Sequence, residues 1–301
     1  MQVLRNNSTL KGIALAIIAA LLWSGNFVIS RAVKNDISPI TLAFYRWLTA
    51  SIIILPLAWK AFKQEQAIIS TNIKYLFFVS LSGIAVFNTC VYVAGHYTSA
   101  INMALIGTTS SPIFATVMAV VFLKERLSKF RILGMIICIA GIILLISNGS
   151  WAKLAAFHFS KGDLWVLAGA FAFAVYNVLV RSKPANISAI NFLFIIFVLG
   201  TIMLFPFYLK EVIVDSPTKW NQTLLLSILY LGAGTSVTAF LCWNLAIQAL
   251  GASRTVLFGN LIPLFSIIEA VILLGEKMTI AHIISGTIVI AGLTIANIKS
   301  K

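Results

Sequence analysis

The sequence predicts an all-α polytopic membrane protein of ten transmembrane helices, built as two inverted five-helix repeats with both termini cytoplasmic. Three observations carry that prediction. The 301 residues are 60% hydrophobic and only 10% charged, with a mean hydropathy of +1.01, whereas an ordinary soluble domain is about 25% charged. The apolar residues gather into runs of membrane-crossing length. The second half of the chain also repeats the first. Polar groups could not cover so much apolar surface in water, which excludes a soluble enzyme and a disordered chain. The net charge of +14 does not point to nucleic acid, because the basic residues sit in short gaps between apolar runs instead of sharing one face.

A bilayer core of about 30 Å takes roughly 20 apolar residues per helix. Ten runs qualify or nearly do: 12–30, 40–59, 73–95, 101–123 and 132–146, then 164–180, 189–209, 224–245, 252–274 and 280–298. The first resembles a signal peptide, with Arg5 and Lys11 ahead of it and small residues at Ala19 and Ala20. It continues through Trp23 to Ser30 and is read as a first transmembrane helix. Lipid offers no partner to unpaired backbone groups, so the runs form a helical bundle. They lack the alternation of a transmembrane barrel. With the N-terminus inside, fourteen basic residues face the cytoplasm, among them Lys60, Lys63, Arg126, Lys129, Arg181 and Lys183, against seven on the other side, including Arg31, Lys34 and Lys210. That bias orients the bundle, and a multi-pass protein of the plasma membrane, the inner membrane of a bacterium, is expected.

A shift of 150 residues pairs Gly12 with Gly162, Arg31 with Arg181, Ser38 with Ser188, Phe44 with Phe194, Pro56 with Pro206 and Lys60 with Lys210, giving 11 identities over the 49 positions 12–60. A shift of 151 pairs Gly83 with Gly234, Pro112 with Pro263, Phe114 with Phe265, Glu125 with Glu276 and Gly141 with Gly292. The repeats are thus placed at 10–148 and 160–298. Five is odd, so the second copy enters the membrane from the opposite side. Inverted repeats are the architecture of secondary transporters, with substrate held near the midplane between the copies.

The segments Pro112-Ile-Phe-Ala-Thr-Val-Met-Ala-Val-Val-Phe-Leu-Lys-Glu125 and Pro263-Leu-Phe-Ser-Ile-Ile-Glu-Ala-Val-Ile-Leu-Leu-Gly-Glu276 are each followed by a helix carrying Ala-Gly (Ala140-Gly141, Ala291-Gly292). This pattern resembles the EamA-type repeat of the drug/metabolite transporter superfamily, as do Leu22-Trp23-Ser24-Gly25-Asn26-Phe27 and Phe44-Tyr45-Arg46-Trp47. The likeness spans residues 10–298. Helix six departs from it, with Phe173-Ala174-Val175-Tyr176-Asn177 where the first repeat has Trp23-Ser24-Gly25-Asn26, and Ile196 stands opposite Arg46. The resemblance implies a ten-helix carrier of small metabolites, often amino acids or related compounds and usually outward. It also implies a cavity lined by helices 1, 3, 4, 6, 8 and 9.

Two ionisable residues lie well inside the runs, Arg46 and Glu269. A charge at the bilayer centre costs about 2.5–3.5 kcal/mol on insertion scales, so each needs a partner, water or a function. Arg46 is a candidate for a substrate carboxylate, or else a structural arginine bonded to carbonyls. Glu269 is a candidate proton-coupling carboxylate, or else a structural acid paired with a neighbour. Pro112 and Pro263, read as mid-helix prolines in helices four and nine, free a backbone carbonyl each and are candidate hinges or cavity walls, or packing kinks. Glu125 and Glu276 end their runs and are candidate gates, or solvated helix-end charges. Asn26, Asn88, Asn177, Asn244 and Asn260 need hydrogen-bond partners in a dry core, and Trp23, Tyr92, Tyr176 and Trp243 each join a flat apolar body to one polar group. Trp23 and Asn26 share one helix face, as do Asn88 and Tyr92. These nine are the candidate substrate-binding residues.

Cys90, Cys138 and Cys242 read as small core residues without metal or redox spacing, and His96, His158 and His282 have no second ligand spaced for a metal. No metal or cofactor is expected. No phosphate-cradling Gly-Lys-Ser/Thr loop indicates ATP-driven transport, and no buried acid pair, histidine cluster or Ser-His arrangement indicates catalysis. The leading reading is a secondary transporter that exports small metabolites by alternating access, not an enzyme. Its partners are a small-molecule substrate, protons as a candidate coupling ion, and the lipid bilayer. The alternatives are an intramembrane enzyme or a channel-like protein.

Overall fold

The computed structural model describes residues 2–123, 128–147, 150, 160–215, 217–250, 255 and 258–296. Helices build it, and no strand occurs among the described residues. They are α1 (Gln2–Ala32), α2 (Pro39–Gln64), α3 (Ile73–Tyr97), α4 (Ala100–Leu123), α5 (Lys129–Ser147), α6 (Lys161–Val180), α7 (Ala189–Val214), α8 (Gln222–Leu250), α9 (Leu261–Leu274) and α10 (Ile280–Ala296), with a short turn of helix at Gln66–Thr71 before α3. Seven helices are long and apolar enough to cross a membrane, and α9 and α10 are shorter apolar helices. Large side chains such as Ile52, Phe78, Phe207, Ile213 and Ile272 point outward, exposed. An outer wall of this composition is stable only against lipid.

Local sequence explains where the helices begin. Ser160 accepts a hydrogen bond from the Asp163 amide at 3.0 Å and opens α6, and Asn221 accepts one from Leu224 at 2.8 Å and opens α8. Pro39 starts α2 at a position where a missing N–H removes no helical bond. Pro263 does the same for α9. It stands in the first turn of a helix beginning at Leu261, behind a turn at Gly259 and Asn260, and not at mid-helix as the apolar run 252–274 suggested. The run averages as apolar although it holds Ser253, Arg254, Thr255 and Asn260, so mean hydropathy did not show the break. Pro112 does lie inside α4, but on its exposed face, so it does not line the interior.

Two features were not legible as periodicity. Leu81–Val86 in α3 and Tyr230–Thr238 in α8 are π-helical, and the 151-residue shift brings the two segments into register. Such turns often mark functional positions. Within the first, Gly83 packs directly against the Tyr176 ring, where any Cβ would collide.

Three of the main contacts between the two halves map onto themselves when each helix is exchanged for its counterpart five places on. α1 packs on α8 and α9, and α6 packs on α3 and α4. α2 packs on α8, and α7 on α3. Three counterpart pairs also meet directly: α2 with α7, α4 with α9, and α5 with α10. In each the two helices run antiparallel. The carboxyl end of α2 meets the amino end of α7, that of α9 meets the amino end of α4, and Gly134 of α5 faces Gly292 and Ala296 of α10 while Gly141 faces Ser285. Close approach at those glycines lets the α5 and α10 backbones touch.

Candidate functional site

The polar centre of the bundle forms around Arg46, in the eighth position of α2 and roughly 10 Å along it at 1.5 Å per residue. Its side chain is 4% exposed. Nη1 lies within hydrogen-bonding distance of Asn26 Oδ1 at 2.5 Å, Asn88 Oδ1 at 2.6 Å and the Tyr92 hydroxyl at 2.8 Å, and Nε donates to Ser236 Oγ at 3.0 Å. The Tyr92 hydroxyl passes a bond on to Asn26 Oδ1 at 3.2 Å. The guanidinium also sits 4.6 Å from the Trp47 ring centre, a cation–π contact. Four helices therefore converge on one cation: α1 with Asn26, α2, α3 with Asn88 and Tyr92, and α8 with Ser236. The π-segment of α8 aims Ser236, whose hydroxyl also bonds the Leu231 carbonyl five residues back at 2.9 Å.

All these partners are neutral oxygens. Among the described residues no acid pairs with Arg46, and Nη2 donates no hydrogen bond. A guanidinium has five donors, so an unneutralised charge is left with a free donor edge.

The second ionisable side chain within the bundle, the half-buried Glu269, lies on the other face of α1. Ser24 Oγ donates to Glu269 Oε1 at 2.7 Å, and Ser266 Oγ donates to the Ser24 carbonyl at 2.9 Å. Glu269 Oε2 is buried and meets no donor among the described residues. Tyr230 of the π-segment donates to the Leu22 carbonyl at 3.0 Å.

Trp23 Nε1 donates to the Thr235 carbonyl at 3.1 Å, and its ring lies 5.0 Å from Trp243 and 5.4 Å from Phe240. The counterpart corner of the other half holds Phe87 stacked on Phe173 at 4.6 Å, and Phe173 stacked on the buried Tyr176 at 5.5 Å. Asn26, Asn88 and Tyr92 thus join one network with Arg46, and Trp23 and Trp243 form its aromatic flank. Tyr176 belongs to the opposite, aromatic corner. Asn177, Asn244 and Asn260 are half-buried and make no side-chain hydrogen bond to the cluster among the described residues. α4 contributes none of the cluster's side chains. Ser24, Tyr230, Thr235 and Ser236 were not singled out from sequence. Their counterparts in the other repeat, Ala174, Val79, Ile84 and Ala85, carry no hydroxyl, so the repeat offered no signal for them.

Glu276 turns back onto the bundle and accepts from the Ala100 and Ile101 amides at 2.8 and 3.2 Å, capping α4. Its counterpart Glu125 lies outside the described residues. No group of three metal-ligating side chains occurs among the described residues.

A scan against family profiles matches the EamA-like transporter family twice, at residues 10–147 and 160–298. The chain belongs to the EamA-like transporter family. It is 29% identical over 286 residues to an uncharacterized transporter of Archaeoglobus fulgidus, covering 94% of this chain and 96% of that one. A probable amino-acid metabolite efflux pump of Salmonella typhimurium is 23% identical over 295 residues, with 93% of each chain covered. A solved crystal structure with 17% sequence identity superposes with a TM-score of 0.61 over 97% of this chain and 96% of its own, a likeness of fold. This EamA-like chain is a multi-pass membrane protein of a transporter family, and that family is not one of enzymes.

Proposed function

We propose that this EamA-like chain is a secondary transporter that exports small metabolites, amino acids or related compounds, by alternating access of a site between two inverted five-helix repeats at 10–148 and 160–298. The observation that carries this reading is Arg46. A buried guanidinium surrounded only by neutral oxygens, with a free donor edge, supports recognition of an anionic group such as a carboxylate. Glu269, held by Ser24 on the other face of α1 and with one oxygen unpaired among the described residues, supplies the opposite charge, either for a substrate ammonium or as the group that couples transport to protons. Trp23, Tyr92 and Trp243 with Asn26 and Asn88 form one wall of the site, and Tyr176 with Asn177 the other. Asn244 and Asn260 line its approaches.

The packed state of the cluster, with Asn88 and Tyr92 each 1% exposed, supports an occluded or one-side-closed conformation. The basic residues favour the side where α1 begins as the cytoplasm. The test is counterflow of labelled amino acids in proteoliposomes, with Asn26→Ala, Asn88→Ala and Trp243→Ala at matched abundance. Substrate-driven counterflow that weakens in these variants supports the reading. Unchanged kinetics in all three would mean that the side chains only pack.

A further inference from the structure

The Ser24 hydroxyl of α1 has one proton and two oxygen neighbours that would take it. Its Oγ lies 2.6 Å from the Leu21 carbonyl of its own helix and 2.7 Å from Glu269 Oε1 of α9. A hydroxyl donates once, and each contact is as short as an undivided O–H···O bond. The carbonyl can only accept. With Glu269 ionised, Ser24 gives its proton to Oε1, and the contact with Leu21 then brings two oxygens together with no proton between them. With Glu269 neutral, every proton has a place: Glu269 donates from Oε1 to Ser24 Oγ, and Ser24 donates to Leu21. Other buried hydroxyls of the bundle also donate to the preceding turn, Ser51 to Trp47 at 2.8 Å, Ser80 to Leu76 at 2.7 Å and Thr109 to Leu105 at 2.6 Å. In a helix shielded from water, that carbonyl is the local acceptor for such a proton.

The neighbouring contacts hold this pair in register. Ser266, one turn before Glu269 on α9 and 0% exposed, donates to the Ser24 carbonyl at 2.9 Å. Glu269 Oε2 is buried and meets no donor among the described residues, a setting that penalises a carboxylate far more than a neutral acid. α1 and α4, the helices packed on α9, carry no ionisable side chain over residues 12–30 and 100–123. The titratable and charged side chains that reach α1 at this depth are Tyr230, on the Leu22 carbonyl, and Arg46, on Asn26. Arg46 lies on the other face of α1 and gives its described bonds to neutral oxygens.

We propose that Glu269 is the proton-binding site of this carrier, holding a proton on Oε1 against Ser24 in the conformation described and releasing it when that contact opens to water. On release the proton passes to water, both oxygens stay on the carboxylate, and the Ser24 hydroxyl turns from Leu21 to Oε1. The inference rests on the carrier reading for its consequence, and it assigns Glu269 to coupling instead of to a substrate ammonium.

The experiment is infrared spectroscopy of the purified full-length protein in detergent at neutral pH. A protonated carboxyl shows a C=O stretch above the amide bands, and a carboxylate does not. Wild type is expected to show such a band, to shift it downward in heavy water and to lose it in Glu269→Gln, whose amide still has a proton to give Ser24. In Ser24→Ala the acid loses the acceptor of its proton, so the band should move to higher frequency, which assigns it even if Glu269→Gln does not fold. A wild-type spectrum with no such band, or a band unmoved by Ser24→Ala, overturns the inference and leaves Glu269 to the ammonium role. A second arm uses wild-type proteoliposomes that show counterflow of labelled amino acids. An imposed pH gradient should drive net movement of the label against its own concentration gradient, and no response to a gradient of either sign overturns the coupling role. If wild type shows no counterflow, the carrier reading falls, and the infrared arm still decides whether Glu269 holds a proton.

Discussion

Replacing Asn26 with Asp tests whether Arg46 is a ligand for substrate or only a structural cation. The side chain keeps its shape and keeps an oxygen 2.5 Å from Nη1, but now carries a charge. At a separation near 4 Å and an effective dielectric constant of about 20, the new ion pair gains about 4 kcal/mol before desolvation. Taking the carboxylate out of water costs several kcal/mol. The two terms nearly cancel, so stability should change by about 1 kcal/mol or less. Substrate binding has no such cancellation. A substrate carboxylate would meet a neutralised guanidinium, and losing even 1.4–2.8 kcal/mol of that attraction weakens binding by about 10- to 100-fold. Asn26→Ala should instead cost about 1.5–3 kcal/mol of stability, one acceptor lost from a charged donor, and weaken binding less than Asn26→Asp, because the guanidinium charge stays in place for substrate. The assay is substrate-dependent thermal shift together with counterflow kinetics of the purified proteins. Undiminished affinity in Asn26→Asp would show that Arg46 does not touch substrate and would refute the reasoning.

Three further outcomes are expected. Gly83→Val places a branched side chain into the Tyr176 ring and should destabilise the protein by about 1–3 kcal/mol as an overpacked contact, read by thermal unfolding in detergent. The Glu65 carboxyl is pushed up by burial but held below its usual range by hydrogen bonds from Asn191 and Ser188 and by the charge of Lys183. A carboxyl lowered in the folded state contributes stability above its unfolded value, about 4.3, and loses it as pH falls through the lower folded value. Wild type should therefore lose stability relative to Glu65→Gln below about pH 4, and parallel pH profiles of the two melting temperatures would count against the cap. Reporter fusions at the C-terminus should be active only as cytoplasmic reporters, and activity only on the outer side would reverse the assigned orientation.

Much of the bundle was legible because its determinants are local. A run of apolar residues long enough to cross lipid must be helical whatever its neighbours do, and an odd number of helices per repeat requires inversion. The antiparallel contacts of α2 with α7, α4 with α9, and α5 with α10 agree with that expectation. Part of the central cluster was legible too. Spacing put Asn88 and Tyr92 on one face of α3, and both do point at the same guanidinium.

What spacing could not show was the point of convergence. Arg46 stood as a candidate without a counterpart, since Ile196 replaces it in the second repeat, and that asymmetry makes one corner polar, while Phe87, Phe173 and Tyr176 make the matching corner aromatic. The break before Pro263 and the π-segments of α3 and α8 were also invisible, since a residue gained or lost in a helical turn leaves hydropathy unchanged. The sequence by itself determined the apolar helices, which follow from transfer of each segment into lipid, and the family pattern that matches the chain twice. Only the tertiary structure decided that Asn26, Asn88, Tyr92 and Ser236 meet on Arg46, and that Glu65 and Glu211 cap each other's helices. Those pairings depend on the rotation and axial register of several helices at once, quantities set by the summed packing of the bundle and by no single stretch of chain.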